Sequence, residues 1–99
     1  MKYPPVVALV NGVVKARTRD GAMADAGELV SALRTGGETY RVLGPAPAPL
    51  SRLKGEYRAQ FFIKGTNRPA MRQALQQVLS SRPEIRRRTI VDVDPMSVL

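Results

Sequence analysis

The chain of 99 residues contains no cysteine and no histidine, and only five of its side chains are aromatic, three Tyr and two Phe. Without cysteine there are no disulfides and no thiolate metal sites, a composition that fits a reducing cytosol. Without histidine there is no imidazole base, so the commonest general acid–base chemistry is excluded. No apolar run reaches 18 residues, and no segment reads as a membrane span. The first residues hold one Lys and two prolines ahead of a Val-rich segment, which is not the charged-then-helical pattern of a signal peptide. No stretch follows G-x-x-x-x-G-K-[ST], so the chain carries no phosphate loop and is not expected to hydrolyse ATP. No catalytic constellation emerges. Asp92 and Asp94 stand two apart on one strand face and could approach a Mg²⁺. Acids so placed more commonly pair with cations on a neighbouring strand, and no metal site is assigned.

Acidic charge is also scarce. Sixteen Lys and Arg face eight Asp and Glu, leaving a net charge of +8. The excess is uneven, with 6 basic and 4 acidic groups in residues 1–50 against 10 and 4 in residues 51–99. Twelve of the sixteen cations are Arg, whose planar fork suits bidentate contact with phosphate or carboxylate. Two readings follow: a polyanionic partner, nucleic acid or acidic peptide, or a basic face that packs within a larger assembly.

Hydrophobic periodicity divides the chain into alternating strands and helices. Val6 to Arg17 is a β-branched run without a helical stripe and is read as a long central strand, entered through a stiff Pro4-Pro5 linker. Asp20-Gly21 opens a helix with Asp20 as the expected N-cap. Its apolar stripe is Ala22, Ala26, Leu29 and Leu33, flanked by Met23 and Val30, and Gly36-Gly37 ends it. Thr39 to Leu43 is a short strand, cut off by Gly44 and alternating prolines that cannot donate ladder hydrogen bonds. Those prolines read as a brace for the connection to the next strand rather than as a ligand for a proline-binding module.

Tyr57 to Lys64 is that strand, with Tyr57, Ala59, Phe61 and Ile63 on one face and Arg58, Gln60, Phe62 and Lys64 on the other. Asn67-Arg68-Pro69 starts a second helix with Met71, Leu75, Val78 and Leu79 buried, and Pro83 enforces its end. Arg88 to Asp94 is the last strand, with Val91 and Val93 opposite Ile90, Asp92 and Asp94. The order is βαββαβ. A single domain of this order is an α+β, ferredoxin-like two-layer sandwich: a four-stranded antiparallel sheet with two helices on one face.

Four segments carry a family resemblance. They are Tyr3-Pro4-Pro5, the run Val42-Leu43-Gly44-Pro45-Ala46-Pro47-Ala48-Pro49, Gly55-Glu56-Tyr57-Arg58-Ala59-Gln60, and Asp92-Val93-Asp94-Pro95. In this order and spacing, over nearly the whole chain, they resemble the C-terminal domain of primosomal protein N′, the bacterial replication-restart helicase PriA. The resemblance implies an S10-like fold and a non-catalytic domain of residues 1–99 cut from a larger helicase, with residues 1–5 a linker from the preceding lobe. It also implies that ATP, Mg and Zn belong to the parent protein and no cofactor to this domain. The implied partners are branched or single-stranded DNA, the C-terminal tail of single-stranded DNA-binding protein and the parent helicase lobes, in a bacterial cytoplasm near the nucleoid.

Two basic surfaces follow from the residues. Arg82 with Arg86, Arg87 and Arg88 forms a dense cluster expected in the loop before the last strand, suited to phosphate contacts without sequence readout. Lys15, Arg17 and Arg19, at the end of the first strand, are candidates to extend it. On the second helix Arg68, Arg72 and Gln76 form a row at i, i+4 and i+8, near an N-terminus that is itself partly positive. Two guanidiniums there make a carboxylate receptor. The resemblance implies that Arg68 matches the family Arg that helps bind the acidic, Phe-terminated tail, while Arg72 stands where many relatives carry Gln. A third surface, the open sheet face, matches RNA-recognition modules poorly: Glu56 and Arg58 stand where aromatics are required, and Phe61 and Tyr57 are assigned to the core. Two alternatives to DNA binding and docking stay open, a structural scaffold packed on the helicase core and a stand-alone S10-like RNA-binding protein.

Overall fold

The structure is a computed structural model that describes residues 8–36, 40–53 and 55–93. Residues 1–5, Gly37, Lys54, Asp94 and Pro95 lie outside the described residues. The chain folds as β1 (Ala8–Ala16), α1 (Arg19–Gly36), β2 (Tyr40–Leu53), β3 (Glu56–Gly65), α2 (Arg68–Ser80), α3 (Pro83–Arg87) and β4 (Thr89–Val93). The sheet order is β2-β3-β1-β4 with every neighbouring pair antiparallel, the ferredoxin-like arrangement expected from the sequence. Among the described residues, no helix is long and apolar enough to cross a membrane.

Alternation along the two central strands sets the core. Ala8, Val10 and Val14 of β1 and Ala59, Phe61 and Ile63 of β3 point toward the helices and are buried. They meet Ala22, Ala26, Leu29, Val30 and Leu33 of α1 and Met71, Leu75 and Leu79 of α2, the stripes read from the sequence. Phe61 is fully buried, and its partner across the ladder is Gly12. A Cβ built on Gly12 would lie 2.3 Å from the Phe61 ring, so the ring occupies the space that any other residue would need. The pairing thus fixes the central register as well as filling the core.

Three elements differ from the sequence reading. The cap of α1 is Thr18, whose Oγ1 accepts the Gly21 N–H at 2.9 Å, and Asp20 instead sits within the first turn where the helix dipole favours an acid. β2 does not stop at Leu43. It continues through Pro45, Pro47 and Pro49 to Leu53, with register shifts between Leu43 and Ala46 and between Pro47 and Arg52. The prolines are tolerated because β2 is an edge strand, where missing donors cost no ladder bond. Gly44 adopts φ +108°, with its would-be Cβ 3.0 Å from the Gln60 carbonyl oxygen, so the bend requires glycine. Finally, Pro83 begins a helix as well as following one. α2 ends at Ser80, and Pro83 supplies the first turn of α3, so the Arg82–Arg88 segment is helical rather than a loop.

The join of α1 to β2 is held by polar contacts. The Tyr40 hydroxyl donates to the Leu33 carbonyl at 2.9 Å, and Arg34 Nη2 donates to the Val42 carbonyl at 2.9 Å. Burial raises the Tyr40 phenol above its ordinary value. A raised phenol pKa means that this contribution to stability is complete below the unfolded value near 10 and is lost as pH rises through the folded one. Tyr40→Phe should therefore cost about 1 kcal/mol at neutral pH, with the gap to the parent chain narrowing at alkaline pH in thermal melts. Gly12→Ala should displace the Phe61 ring, lowering stability by about 2 kcal/mol and the melting midpoint by about 10 °C. An unchanged midpoint would show that the ring does not depend on the glycine.

Candidate functional site

The basic cluster at α3 is built by two short-range constraints. Pro83 starts the helix turn, and Ile85 is its one buried side chain, anchoring α3 to the core. The backbone positions of Arg86, Arg87 and Arg88 are therefore set by this anchored turn. Their environments differ sharply. Arg88 Nη1 donates to the Lys15 carbonyl at 2.7 Å, and its Nη2 lies 2.8 Å from Asp25 Oδ2 on α1. Arg82 Nε donates to Glu28 Oε2 at 2.6 Å, also on α1, and its Nη1 reaches the Val78 carbonyl and Ser81 Oγ. These two arginines tie the α2–α3 region to α1 and to the end of β1, and much of their hydrogen-bonding capacity is spent within the domain.

Arg86 and Arg87 are exposed. Arg87 lies 4.0 Å from Glu84 with both side chains largely in solvent, a separation that contributes little. Arg86 forms no ion pair with a described residue. The Lys15 N–H donates to the Arg88 carbonyl at 2.9 Å, which puts the end of β1 beside the end of α3. Lys15, half-buried, and Arg17 and Arg19, exposed, thus share one end of the sheet with Arg86 and Arg87.

The second surface lies along α2. Asn67 caps the helix by accepting the Ala70 N–H at 3.1 Å, and Pro69 occupies its first turn. With Met71, Leu75 and Leu79 facing the core, Arg68, Arg72 and Gln76 fall on the solvent side as a continuous row. They line a shallow depression with Pro69 and Gln73.

The structure also joins the two surfaces. α2 leaves part of β4 uncovered, and a cleft of roughly 300 Å³ opens between them. Its floor is Val10, Leu75, Leu79 and Val91, and Arg72 and Arg86 stand at its rim with Gln76. Arg72 and Arg86, read as parts of separate surfaces, therefore share one apolar-floored cleft. Val91, 38% exposed, was not singled out from the sequence. The signal available was the pattern of β4, where Ile90 and Val91 are adjacent and apolar on opposite faces. Among the described residues no group of three or more acids is placed to hold a metal ion, and Asp92 stands opposite Asn11 on β1.

Comparison with known proteins places this geometry. The family model described as the primosomal protein N C-terminal domain matches residues 1–96. The probable replication restart protein PriA of Deinococcus radiodurans is 38% identical over 96 residues, covering 96% of this chain and 10% of that protein. The replication restart protein PriA of Treponema pallidum is 31% identical over 105 residues, covering 98% of this chain and 15% of that protein. The chain therefore spans only a small part of the length of these relatives. A de novo designed protein, Foldit4, superposes with a TM-score of 0.65 at 9% identity, covering 89% of this chain and 93% of its own, a likeness of fold alone. With the family model matched over residues 1–96 and two relatives above 30% identity, the chain belongs to the primosomal protein N C-terminal domain family.

Proposed function

We propose that this domain is a non-catalytic DNA-binding and protein-docking module of a PriA-type replication-restart helicase, acting at branched DNA. The observation that carries the reading is the rigid basic end of the sheet. Arg86 and Arg87 project from a turn anchored by Ile85, beside Lys15, Arg17 and Arg19, with no described carboxylate neutralising them at close range except Glu84. Cations clustered in this way contact phosphates without reading bases, which suits recognition of a DNA shape rather than a sequence. ATP hydrolysis, with its Mg, and any Zn site would be supplied by the parent helicase lobes, and this domain would pack against them in the bacterial cytoplasm, near the nucleoid.

Docking is the second part. The Arg68, Arg72 and Gln76 row, with the apolar-floored cleft beside Arg72, offers cationic and apolar contacts together. That combination suits the acidic, Phe-terminated tail of single-stranded DNA-binding protein, with Arg68 as the carboxylate contact. The arginines differ in what they do. Arg86 and Arg87 act on DNA, whereas Arg82 and Arg88 serve mainly to hold the basic end in shape.

Replacing Arg86 and Arg87 by Ala should lower affinity for forked and duplex DNA and reduce the slope of log K against log salt by about two contacts. Arg88→Ala should lower the melting temperature while changing that slope by less than one contact. A salt slope that Arg86 and Arg87 do not alter would remove the phosphate assignment. For the docking role, Arg68→Ala in the full helicase should weaken an acidic Phe-terminated peptide about tenfold in a fluorescence-anisotropy titration. Equal affinity would place the tail elsewhere.

A further inference from the structure

Both main helices pack on one face of the sheet, and among the described residues no element covers the other. Strand alternation dictates what that face presents. Leu43 of β2 stands opposite Phe62 of β3, and Val13 of β1 stands opposite Ile90 of β4. Phe62 pairs with Asn11 and Val13 with Gln60, so Phe62 and Val13 are diagonal neighbours, and the four side chains form one apolar band across all four strands. Leu43 is 47% exposed and Ile90 50%.

Like charges bracket the band. At one end Arg41 is directly opposite Lys64, and at the other Lys15 is directly opposite Arg58. Directly opposed like charges destabilise an antiparallel pair. None of the four makes an ion pair with a described residue. The acids on this face are Glu56 at the hairpin end and Asp92 on the edge strand, too few to neutralise them. The two cation pairs are separated by six residues along β3, about 20 Å at the strand rise.

Two polar atoms complete the pattern. Among the described residues, the inaccessible side-chain polar atoms without a hydrogen-bond partner are Asn11 Oδ1 and Arg58 Nε, and both belong to this face. Asn11 lies beside the Phe62 ring in the ladder. Unpartnered polar atoms at an interior-like surface are costly, and they mark the place where the domain's own bonding is incomplete.

We infer that the open sheet face is a single-stranded nucleic-acid platform, which shares Lys15 with the basic end at α3 but not Arg86 or Arg87. A base stacks on Phe62, neighbouring bases and sugars rest on Leu43, Val13 and Ile90, and the two cation pairs take the flanking phosphates. Asn11, half-buried beside Phe62, brings an amide close to the edge of the stacked base. The span accommodates about four nucleotides, the low end for small single-strand-binding folds. Away from its ends a duplex keeps its base faces stacked inside and presents none to Phe62, so this face selects single strands. It does so without the paired aromatics of RNA-recognition modules, and it stands independently of the phosphate contacts proposed for Arg86 and Arg87.

The chain has no Trp, so Phe62→Trp introduces a sole reporter indole at the centre of the band. Titration with oligothymidylate of eight nucleotides should quench its fluorescence saturably, while a relaxed closed-circular duplex should leave it unchanged. Phe62→Ala should weaken the oligonucleotide about tenfold by anisotropy with duplex affinity retained. Should Phe62→Ala fail to fold, Arg41→Glu with Lys64→Glu tests the same face from exposed positions at the end remote from α3, and should again weaken the single strand alone. The inference is overturned if the oligonucleotide binds without quenching the indole, if these variants bind it as tightly as the parent chain, or if no oligonucleotide binds while an acidic protein surface does.

Discussion

The fold depends on one contact, the Phe61 ring lying across Gly12. A large aromatic at the centre of a two-layer sandwich removes more apolar surface from water than any other buried side chain here, worth about 2–3 kcal/mol. Its far edge can sit over Gly12 of β1 only because that ladder partner has no Cβ. Shifting β1 by one residue would turn Val10 and Val14 to solvent and place Asn11 or Val13 beneath the ring. The contact therefore couples register to packing. Every functional side chain inherits its position from that register: Lys15 beside Arg88, Phe62 beside Asn11, and Val91 above Gly12.

The arginine-rich segment illustrates how charge is sorted by shape. Four arginines within seven residues look equivalent, yet two turn inward to Asp25 and Glu28 of α1 and two turn outward. The inward pair converts a run of mutual repulsion into tethers between distant elements. The outward pair is thereby held at a fixed place on the surface. A partner meeting this end of the domain finds the two outward arginines on a turn of fixed backbone, while their exposed side chains are ordered only on contact.

Much of this was legible in the sequence, for physical reasons that can be named. Alternation in Tyr57 to Lys64 assigns Phe61 and Phe62 to opposite faces, and helical spacing identifies Leu29, Leu33, Met71 and Leu75 as core. These are local signals, carried by neighbours in the chain. What was not legible was non-local. Gly12 gives no periodic signal, and its role exists only once β3 is paired to β1. Asp25 and Glu28 carry no local signal, because their partners Arg88 and Arg82 lie more than fifty residues away in the chain. The proline run was correctly read as unable to donate, but whether donors are needed depends on β2 lying at an edge, which belongs to topology. Thr18 rather than Asp20 caps α1; both residue types are good caps, and sequence alone does not rank two candidates that stand two residues apart.

The prolines of β2 also give the sheet a direction. A strand whose amide donors are interrupted at Pro45, Pro47 and Pro49 is a poor template for another strand, which guards that edge against pairing with other chains. β4, at the far edge, runs Thr89-Ile90-Val91-Asp92-Val93 with no proline and a high content of β-branched residues. Among the described residues, the sheet is thus guarded on one side and open on the other. Any additional strand, from another copy or another protein, would join beyond β4, beside the Arg72–Arg86 cleft, and growth from one edge only cannot propagate into a continuous sheet.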